Sequence, residues 1–186
     1  MTTDELVGDA KTRMDKSVEA MRHELTGVRT GRASTALLDR IQVDYYGTRT
    51  PLNQIAQISV PDARLLVITP YDKSAIKEIE RAVMESDLGL NPANDGAVVR
   101  LPIPQLTEER RKDLVKVARH IAEEGRIAVR NVRRDALHHL KELDRSGEAQ
   151  ADEVHRAEDR VQKLTDEHVK RIDEVLKGKE AEILEV

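Results

Sequence analysis

The sequence contains no cysteine, no phenylalanine and no tryptophan, and it has only three tyrosines. Without cysteine, disulfides, zinc–thiolate sites, iron–sulfur clusters and thiol nucleophiles are excluded. Since protein cores usually draw on aromatic bulk, this core must be built from Leu, Ile, Val, Ala and Met. Charged residues make up 35% of the 186 residues. High charge with an aliphatic core is typical of long amphipathic helices rather than of a β-sandwich.

Long apolar runs and targeting signals are missing as well. No run of about 18 apolar residues occurs, so no membrane-spanning helix is predicted. The N-terminus, Met-Thr-Thr-Asp-Glu, lacks the basic-then-apolar order of a signal peptide and the Arg/Ser bias of a transit peptide. We therefore expect a soluble cytoplasmic protein, although a form from which a transit peptide had been removed would look the same.

Charge is unevenly distributed along the chain. The net charge of −4 argues against a general nucleic-acid coat. Residues 107–147 nevertheless carry 11 basic and 8 acidic side chains, a net +3, whereas residues 148–186 carry 7 and 12, a net −5. One basic segment therefore lies inside an acidic protein.

Proline and tyrosine mark the domain organisation, because all six prolines and all three tyrosines lie between residues 45 and 104. Proline breaks helix interiors, so the chain is predicted to run as helix, mixed insert and helices again. Apolar residues at steps of three and four predict helices over 4–28, 107–145 and 150–184. These helices can bury their apolar stripes against one another, which predicts a three-helix bundle formed by residues 1–30 and 105–186.

The insert, residues 31–104, is predicted to be a small β/α/β domain with a helix over 74–88, for which Gly89 is the expected C′ residue. Its β-type runs cover 41–46, 55–60, 65–69 and 98–103. Both ends of the insert join the bundle without a helix crossing the boundary, which predicts a hinge. The predicted hinge residues are Thr30, Gly31, Pro104 and Gln105.

Two residues on the predicted helix seams need an explanation. Gly125 costs up to ~1 kcal/mol in a helix interior relative to alanine, and its position indicates either a close helix–helix approach or a bend. His168 is interpreted as a packed core histidine rather than a metal ligand. Asp152, His155 and Asp159 share one face, but an exposed polar face explains them, so no metal site is predicted.

A basic stripe runs along the helix predicted over 107–145. Its members recur at steps of three, four and seven and fall within roughly a 100° sector. They are Lys112, Lys116, Arg119, Arg126, Arg130 and Arg133. Residues 126–134 hold four arginines and no acid, and arginine suits bidentate contact with phosphate. The pattern favours RNA binding, and the alternative is a solvated face with i,i+4 salt bridges, because Glu123 interrupts the stripe.

Signatures of catalysis are not found. The run from Gly27 to Gly31 lacks the Gly-Lys-Ser/Thr ending of a phosphate-binding loop, and no Gly-x-Ser-x-Gly occurs. We therefore predict no enzyme, no cofactor and no small-molecule substrate. Three seams that cover one another leave no obvious oligomer surface, so a monomer is expected. A helical adaptor that joins other proteins is the alternative to RNA binding.

Five runs along the chain resemble the ribosome recycling factor family, in order and over essentially all 186 residues. They are RTGRAS (29–34), VDYYGTRTPLNQIA (43–56), SDLGLNP (86–92), LTEERRKDL (106–114) and RNVRRDA (130–136). The resemblance implies an L-shaped α+β protein, in which an elongated three-helix bundle carries a small inserted β/α/β domain.

The resemblance also implies a function that is not catalytic. Such a protein binds the post-termination ribosome and, together with elongation factor G and GTP, splits the subunits so that they can be reused. The bundle would be the arm that contacts large-subunit ribosomal RNA, with Arg133 as the strongest single candidate. The motifs imply RNA contacts by Arg130, Arg133, Arg134, Arg110, Arg111, Lys112, Arg29 and Arg32, and the basic stripe adds Arg126.

Overall fold

The structure, a computed structural model, describes residues 1–28 and 30–185. Arg29, one of the predicted RNA ligands, lies outside the described residues. The contacts divide the chain into two compact units, one of Met1–Thr30 with Glu108–Val186 and the other of Gly31–Thr107. The first unit is helical and the second combines strands with short helices, which confirms the predicted α+β class.

Five α-helices occur in the described part of the chain. They are α1 (Thr3–Thr26), α2 (Leu52–Ile55), α3 (Ile76–Glu85), α4 (Glu108–Ser146) and α5 (Ala151–Leu184). The long helices α1, α4 and α5 contact one another pairwise and form the predicted three-helix bundle. None of the described helices is long and apolar enough to cross a membrane.

The start of α1 is fixed by reciprocal hydrogen bonds between Thr2 and Glu5. The backbone N–H of Glu5 donates to Thr2 Oγ1 at 3.2 Å, and the backbone N–H of Thr2 donates to Glu5 Oε2 at 2.8 Å. This capping box satisfies two backbone donors that a helix N-terminus otherwise leaves without partners. The sequence TTDE therefore defines where the first helix begins.

Gly125 marks a close approach of α4 to α1. A Cβ atom built on Gly125 would lie 2.9 Å from Met21 Cγ and 3.4 Å from Ile172 Cδ1 of α5. The helix itself continues without a break across Gly125. Of the two interpretations of this glycine, the close helix–helix approach is confirmed.

His168 of α5 is fully buried and joins α5 to α1. Its Nδ1 lies 2.6 Å from the carbonyl oxygen of Leu164, and its Nε2 lies 2.8 Å from Asp15 Oδ1. The interpretation as a core histidine is confirmed.

The carboxylate of Asp15 is the hydrogen-bond acceptor for several side chains near this histidine. Its carboxylate accepts hydrogen bonds from Lys11 at 2.9 Å, from His168 and from Arg171 at 3.0 Å. The hydrogen bond from Lys11 contributes most, followed by that from His168, and together these contacts lower the pKa of Asp15 to about 2. The contact between the first and last helices is therefore partly ionic.

The inserted unit is built on antiparallel strands. The described strands are β1 (Gln42–Tyr45), β2 (Thr48–Pro51), β3 (Ala56–Asp62), β4 (Leu65–Pro70), β5 (Ala93–Asn94) and β6 (Val99–Pro102). The strands β3-β4-β6-β5 form one sheet in that order, while β1 and β2 form a separate hairpin. The hairpin turn has positive φ at both Tyr46 and Gly47, +50° and +80°, as two-residue turns of type I′ require.

The helix of the inserted unit is shorter than the predicted range 74–88. A 3₁₀ turn over Lys73–Ala75 leads into α3, which ends at Glu85 because Ser86 adopts an extended conformation. The Ser86 hydroxyl donates to the carbonyl of Val83 and so competes with continuation of the helix. The expectation that Gly89 stands at C′ was therefore wrong, since Gly89 lies three residues beyond the cap.

The second connection between the units has no regular structure over residues 103–107. A Cβ atom on Gly31 would lie 3.1 Å from the side chain of Leu106, and Gly31 has a φ of +78°. The division of the chain into units places residues 105–107 in the inserted unit, whereas the sequence pattern predicts them to belong to the bundle.

Gly125→Ala is expected to lower the free energy of unfolding. Overpacking against Met21 costs ~1–3 kcal/mol, which exceeds the gain in helix propensity of ~1 kcal/mol. Gly178→Ala is the matched control, because it lies within α5 with nothing inside 4 Å of the new Cβ, and it should stabilise by up to ~1 kcal/mol. Urea denaturation followed by circular dichroism measures both. Equal stabilisation by both variants would contradict the close approach.

Acid is expected to destabilise the helical unit through Asp15. A carboxylate whose pKa is lower in the folded state stabilises the fold above its unfolded value of 3.8 and loses this contribution as the pH falls toward about 2. Asp15→Asn removes the charge and should flatten this part of the pH profile. Urea midpoints measured at several pH values across this range test the expectation, and parallel profiles for the two proteins would refute it.

Candidate nucleic-acid interface

Helix α4 carries most of the predicted RNA ligands. Those on α4 are Arg110, Arg111, Lys112, Arg126, Arg130, Arg133 and Arg134. From Arg110 to Arg134 the helix rises about 36 Å at ~1.5 Å per residue, so these side chains are spread along a line rather than gathered into a pocket. Arg32 belongs to the other compact unit.

Arg126 is committed to ion pairs inside the bundle. Its Nε and Nη2 donate to Asp173 Oδ1 of α5 at 2.8 and 2.6 Å, and its Nη1 donates to Glu123 Oε2 at 2.9 Å. Only 18% of the side chain is exposed. Burial alone would lower the pKa of Arg126, but the hydrogen bonds to Asp173 and Glu123 outweigh it and raise the pKa. This arginine binds α4 to α5.

Arg119 makes the same kind of contact one heptad earlier in α4. Its Nε donates to Glu180 Oε1 of α5 at 2.6 Å, and this hydrogen bond raises the pKa of Arg119. Since α4 and α5 are antiparallel neighbours, a step of seven residues forward in α4 corresponds to a step of seven backward in α5. The two ion pairs are therefore successive rungs of one ladder.

Arg133 lies on the same line but has a neutral partner. Its Nη1 donates to Gln162 Oε1 at 3.3 Å, near the long end of the hydrogen-bond range. The amide nitrogen of Gln162 donates in turn to Asp166 Oδ1 at 2.9 Å. No carboxylate of the described residues forms an ion pair with Arg133, so its positive charge is not neutralised by contact.

The neighbouring arginines are accessible to different degrees. Arg130 donates to Glu123 Oε1 at 3.3 Å and keeps 43% of its side chain exposed. Arg134 is exposed, and within residues 1–28 and 30–185 it forms no ion pair. Lys112 pairs with Glu108 at 2.9 Å, four residues earlier, as the solvated-face alternative expects. Within residues 126–134, Arg133 and Arg134 are thus the arginines that form no ion pair with a described carboxylate.

The sequence indicates Glu123 as a charge next to the stripe, but it gives no sign of the carboxylates of α5 that pair with it. Residues 126–134 contain no acid, but Glu123 of the preceding turn and Asp173 of α5 reach into this region. The Glu123–Arg126 pair follows from i,i+3 spacing alone. The pair with Asp173 requires the register of α4 against α5, for which the sequence has no direct signal.

Of the residues of the predicted hinge, Thr30 and Gly31 lie at a boundary between the units, whereas Pro104 and Gln105 lie three and two residues before the end of the inserted unit. Thr30 is the last residue of the first of the two chain segments that make up the helical unit, and Gly31 begins the inserted unit. Pro104 and Gln105 are exposed in the irregular stretch 103–107. Among the described residues, no group of three or more His, Asp or Glu side chains is arranged to hold a metal ion.

Comparison with known families gives a match over most of the chain. The model of the family described as ribosome recycling factor matches residues 21–184. The ribosome-recycling factor of Rubrobacter xylanophilus is 57% identical over 180 residues, which cover 97% of each chain. That of Shouchella clausii is 58% identical over 184 residues, which cover 99% of this chain and 100% of the other.

Two solved structures are similar over nearly the full length. A solution structure of the ribosome recycling factor aligns with a TM-score of 0.77 and 42% identity, covering 100% of this chain and 99% of the other. The second aligns with a TM-score of 0.64 and 50% identity, covering 99% and 100%. It describes the T. thermophilus ribosome recycling factor and E. coli elongation factor G bound to the E. coli post-termination complex.

Arg126 and Arg134 are expected to differ in their effect on stability. Arg126→Ala removes three hydrogen bonds to carboxylates and the packing of a half-buried stem, and should lower the free energy of unfolding by ~1–2 kcal/mol. Arg134→Ala removes an exposed side chain and should change it by less than ~0.5 kcal/mol. Chemical denaturation at neutral pH measures both variants. Equal losses would show that Arg126 is not a structural residue.

Proposed function

We propose that this chain, which belongs to the ribosome recycling factor family, recycles ribosomes after termination by splitting the subunits together with elongation factor G and GTP. The family is one of translation factors rather than of classical enzymes. A relative that is 50% identical has been placed on a post-termination complex with elongation factor G. The proposal extends those partners to this protein, acting in the cytoplasm as a monomer.

The observation that carries the proposal is the arginine cluster near the middle of α4, formed by the half-buried Arg130 and Arg133 and the exposed Arg134. Arginine presents a planar fork of donors that matches phosphate. Neither Arg133 nor Arg134 forms an ion pair with a carboxylate of the described residues, so each can exchange water for phosphate without breaking one. We assign the contact with large-subunit ribosomal RNA to this cluster, with Arg133 at its centre.

Other predicted RNA ligands support this contact to a lesser extent. Arg110 is exposed and Arg111 half-buried near the start of α4, beside Lys112. Binding RNA through Lys112 would compete with its ion pair to Glu108. We assign Arg126 to the joining of α4 and α5 rather than to RNA, because its three hydrogen bonds go to Asp173 and Glu123.

The inserted unit is assigned a mechanical role. It is joined to the bundle by two connections, at Thr30-Gly31 and after Ile103, and neither is a helix. Non-helical connections of this kind can absorb the backbone rotations of a hinge. In the proposed mechanism the bundle stays on RNA while elongation factor G, which binds and hydrolyses GTP, moves the inserted unit and strains the contacts between the subunits.

Light scattering of post-termination ribosomes tests the function. Scattering should fall when this protein, elongation factor G and GTP are all present, and should stay constant when any one is omitted. The cognate elongation factor must be used, because the two proteins act together. Constant scattering in the complete mixture, in a system where another family member is active, would return a helical adaptor to consideration.

Arg133→Ala should weaken binding to the isolated large subunit. Loss of one hydrogen bond between charged groups costs ~1.5–3 kcal/mol, which corresponds to about 10- to 150-fold in the dissociation constant. Arg119→Ala is the matched control, because Arg119 lies on the same helix but already pairs with Glu180, and it should have a smaller effect. Co-sedimentation at fixed salt concentration measures both. Equal affinities for Arg133→Ala and the unmodified protein would remove Arg133 from the site.

A further inference from the structure

The row of ion pairs between α4 and α5, the ladder described above, has a third position at which the expected ion pair is not formed. The first two rungs are Arg119 with Glu180 and Arg126 with Asp173. Seven residues further along α4 is Arg133, and seven residues back along α5 is Asp166. A continued ladder would therefore pair Arg133 with Asp166.

The side chain of Gln162 stands between these two residues instead. Gln162 lies one helical turn before Asp166 in α5 and makes both contacts, accepting from Arg133 Nη1 at 3.3 Å and donating to Asp166 Oδ1 at 2.9 Å. No ion pair between Arg133 and Asp166 is formed within the described part of the chain. The amide thus holds the carboxylate with one end and the guanidinium with the other.

An amide partner and a carboxylate partner affect the charge of an arginine differently. A carboxylate neutralises the guanidinium it contacts, as at Arg126, whereas an amide oxygen is a neutral acceptor and leaves the full positive charge. A single long hydrogen bond from one nitrogen also leaves most of the five N–H donors of Arg133 for another ligand. Gln162 therefore orients Arg133 without consuming its charge.

From this arrangement we propose that Gln162 is a positioning residue for RNA binding: it captures the Asp166 carboxylate and so keeps the charge of Arg133 available to a ribosomal RNA phosphate. This inference rests on the proposed function and adds to it a residue outside the basic stripe. It predicts that affinity for the large subunit depends on which partner Arg133 has, even when Arg133 itself is unchanged.

Two substitutions at Gln162 test this dependence by co-sedimentation with the large subunit. Gln162→Glu places a carboxylate on Arg133 directly, and Gln162→Leu releases Asp166 to pair with Arg133. Each should weaken binding by about tenfold or more, the size expected when a charge-assisted hydrogen bond is lost. The thermal midpoint should not fall in Gln162→Glu, because a new ion pair replaces a long neutral hydrogen bond.

Rescue separates this role from direct contact of Gln162 with RNA. In the Gln162→Leu background, Asp166→Asn removes the competing carboxylate and should restore most of the affinity. Asp159→Asn makes the same charge change at another exposed position of α5 and should not restore it. Rescue by neither, or by both equally, would overturn the proposal, as would unchanged binding by both substitutions at Gln162.

Failure of the proposed function gives a different result. If the unmodified protein does not bind the large subunit, the function and this inference both fall. If the unmodified protein binds and Arg133→Ala weakens binding, but the variants at Gln162 bind normally, the function stands and only the role of Gln162 is rejected.

Discussion

The stability of the helical unit depends on the packing of α4 and α5 against the apolar face of α1. The chain leaves the bundle at the end of α1, at Thr26, and returns only at Glu108, where α4 begins. Gly125 lets α4 approach Met21 closely enough for this, since a Cβ at that position would overlap it. The approach fixes the rotation of α4 about its own axis. Every arginine of the basic stripe then takes its direction from that rotation, including those that face α5.

The opposite charges of the last two helices have a common explanation in their packing. The segment with net +3 and the segment with net −5 lie side by side as α4 and α5. Acids of α5 neutralise Arg119 and Arg126, and the ladder stops being ionic at Arg133, where Gln162 intervenes. The arginines on this face of α4 thus have two roles. Arg119 and Arg126 join α4 to α5, whereas Arg133 keeps its positive charge unpaired.

The long helices could be predicted because their periodicity extends over many turns, which leaves little ambiguity even without aromatic residues. Short elements could not. Strand β2 and the two-residue β5 exist through pairing with partners, and α3 stops early because the Ser86 hydroxyl competes for a backbone carbonyl. The arginines of the candidate site were found from spacing. That Arg126 is engaged depends on the register of α4 against α5, which is a property of packing rather than of local sequence.

The discontinuity of the helical unit has a consequence for the order of synthesis. Asp15 meets His168, 153 residues later in the chain, and Gly31–Thr107 form a contiguous unit with a core of their own. Domains tend to fold as units during synthesis. The inserted unit can therefore fold before α4 and α5 have been synthesised, while the apolar face of α1 is still exposed to solvent. Contacts so distant in sequence also slow folding. A chain whose translation stops before α4 would carry a finished insert and a first helix with its apolar face uncovered.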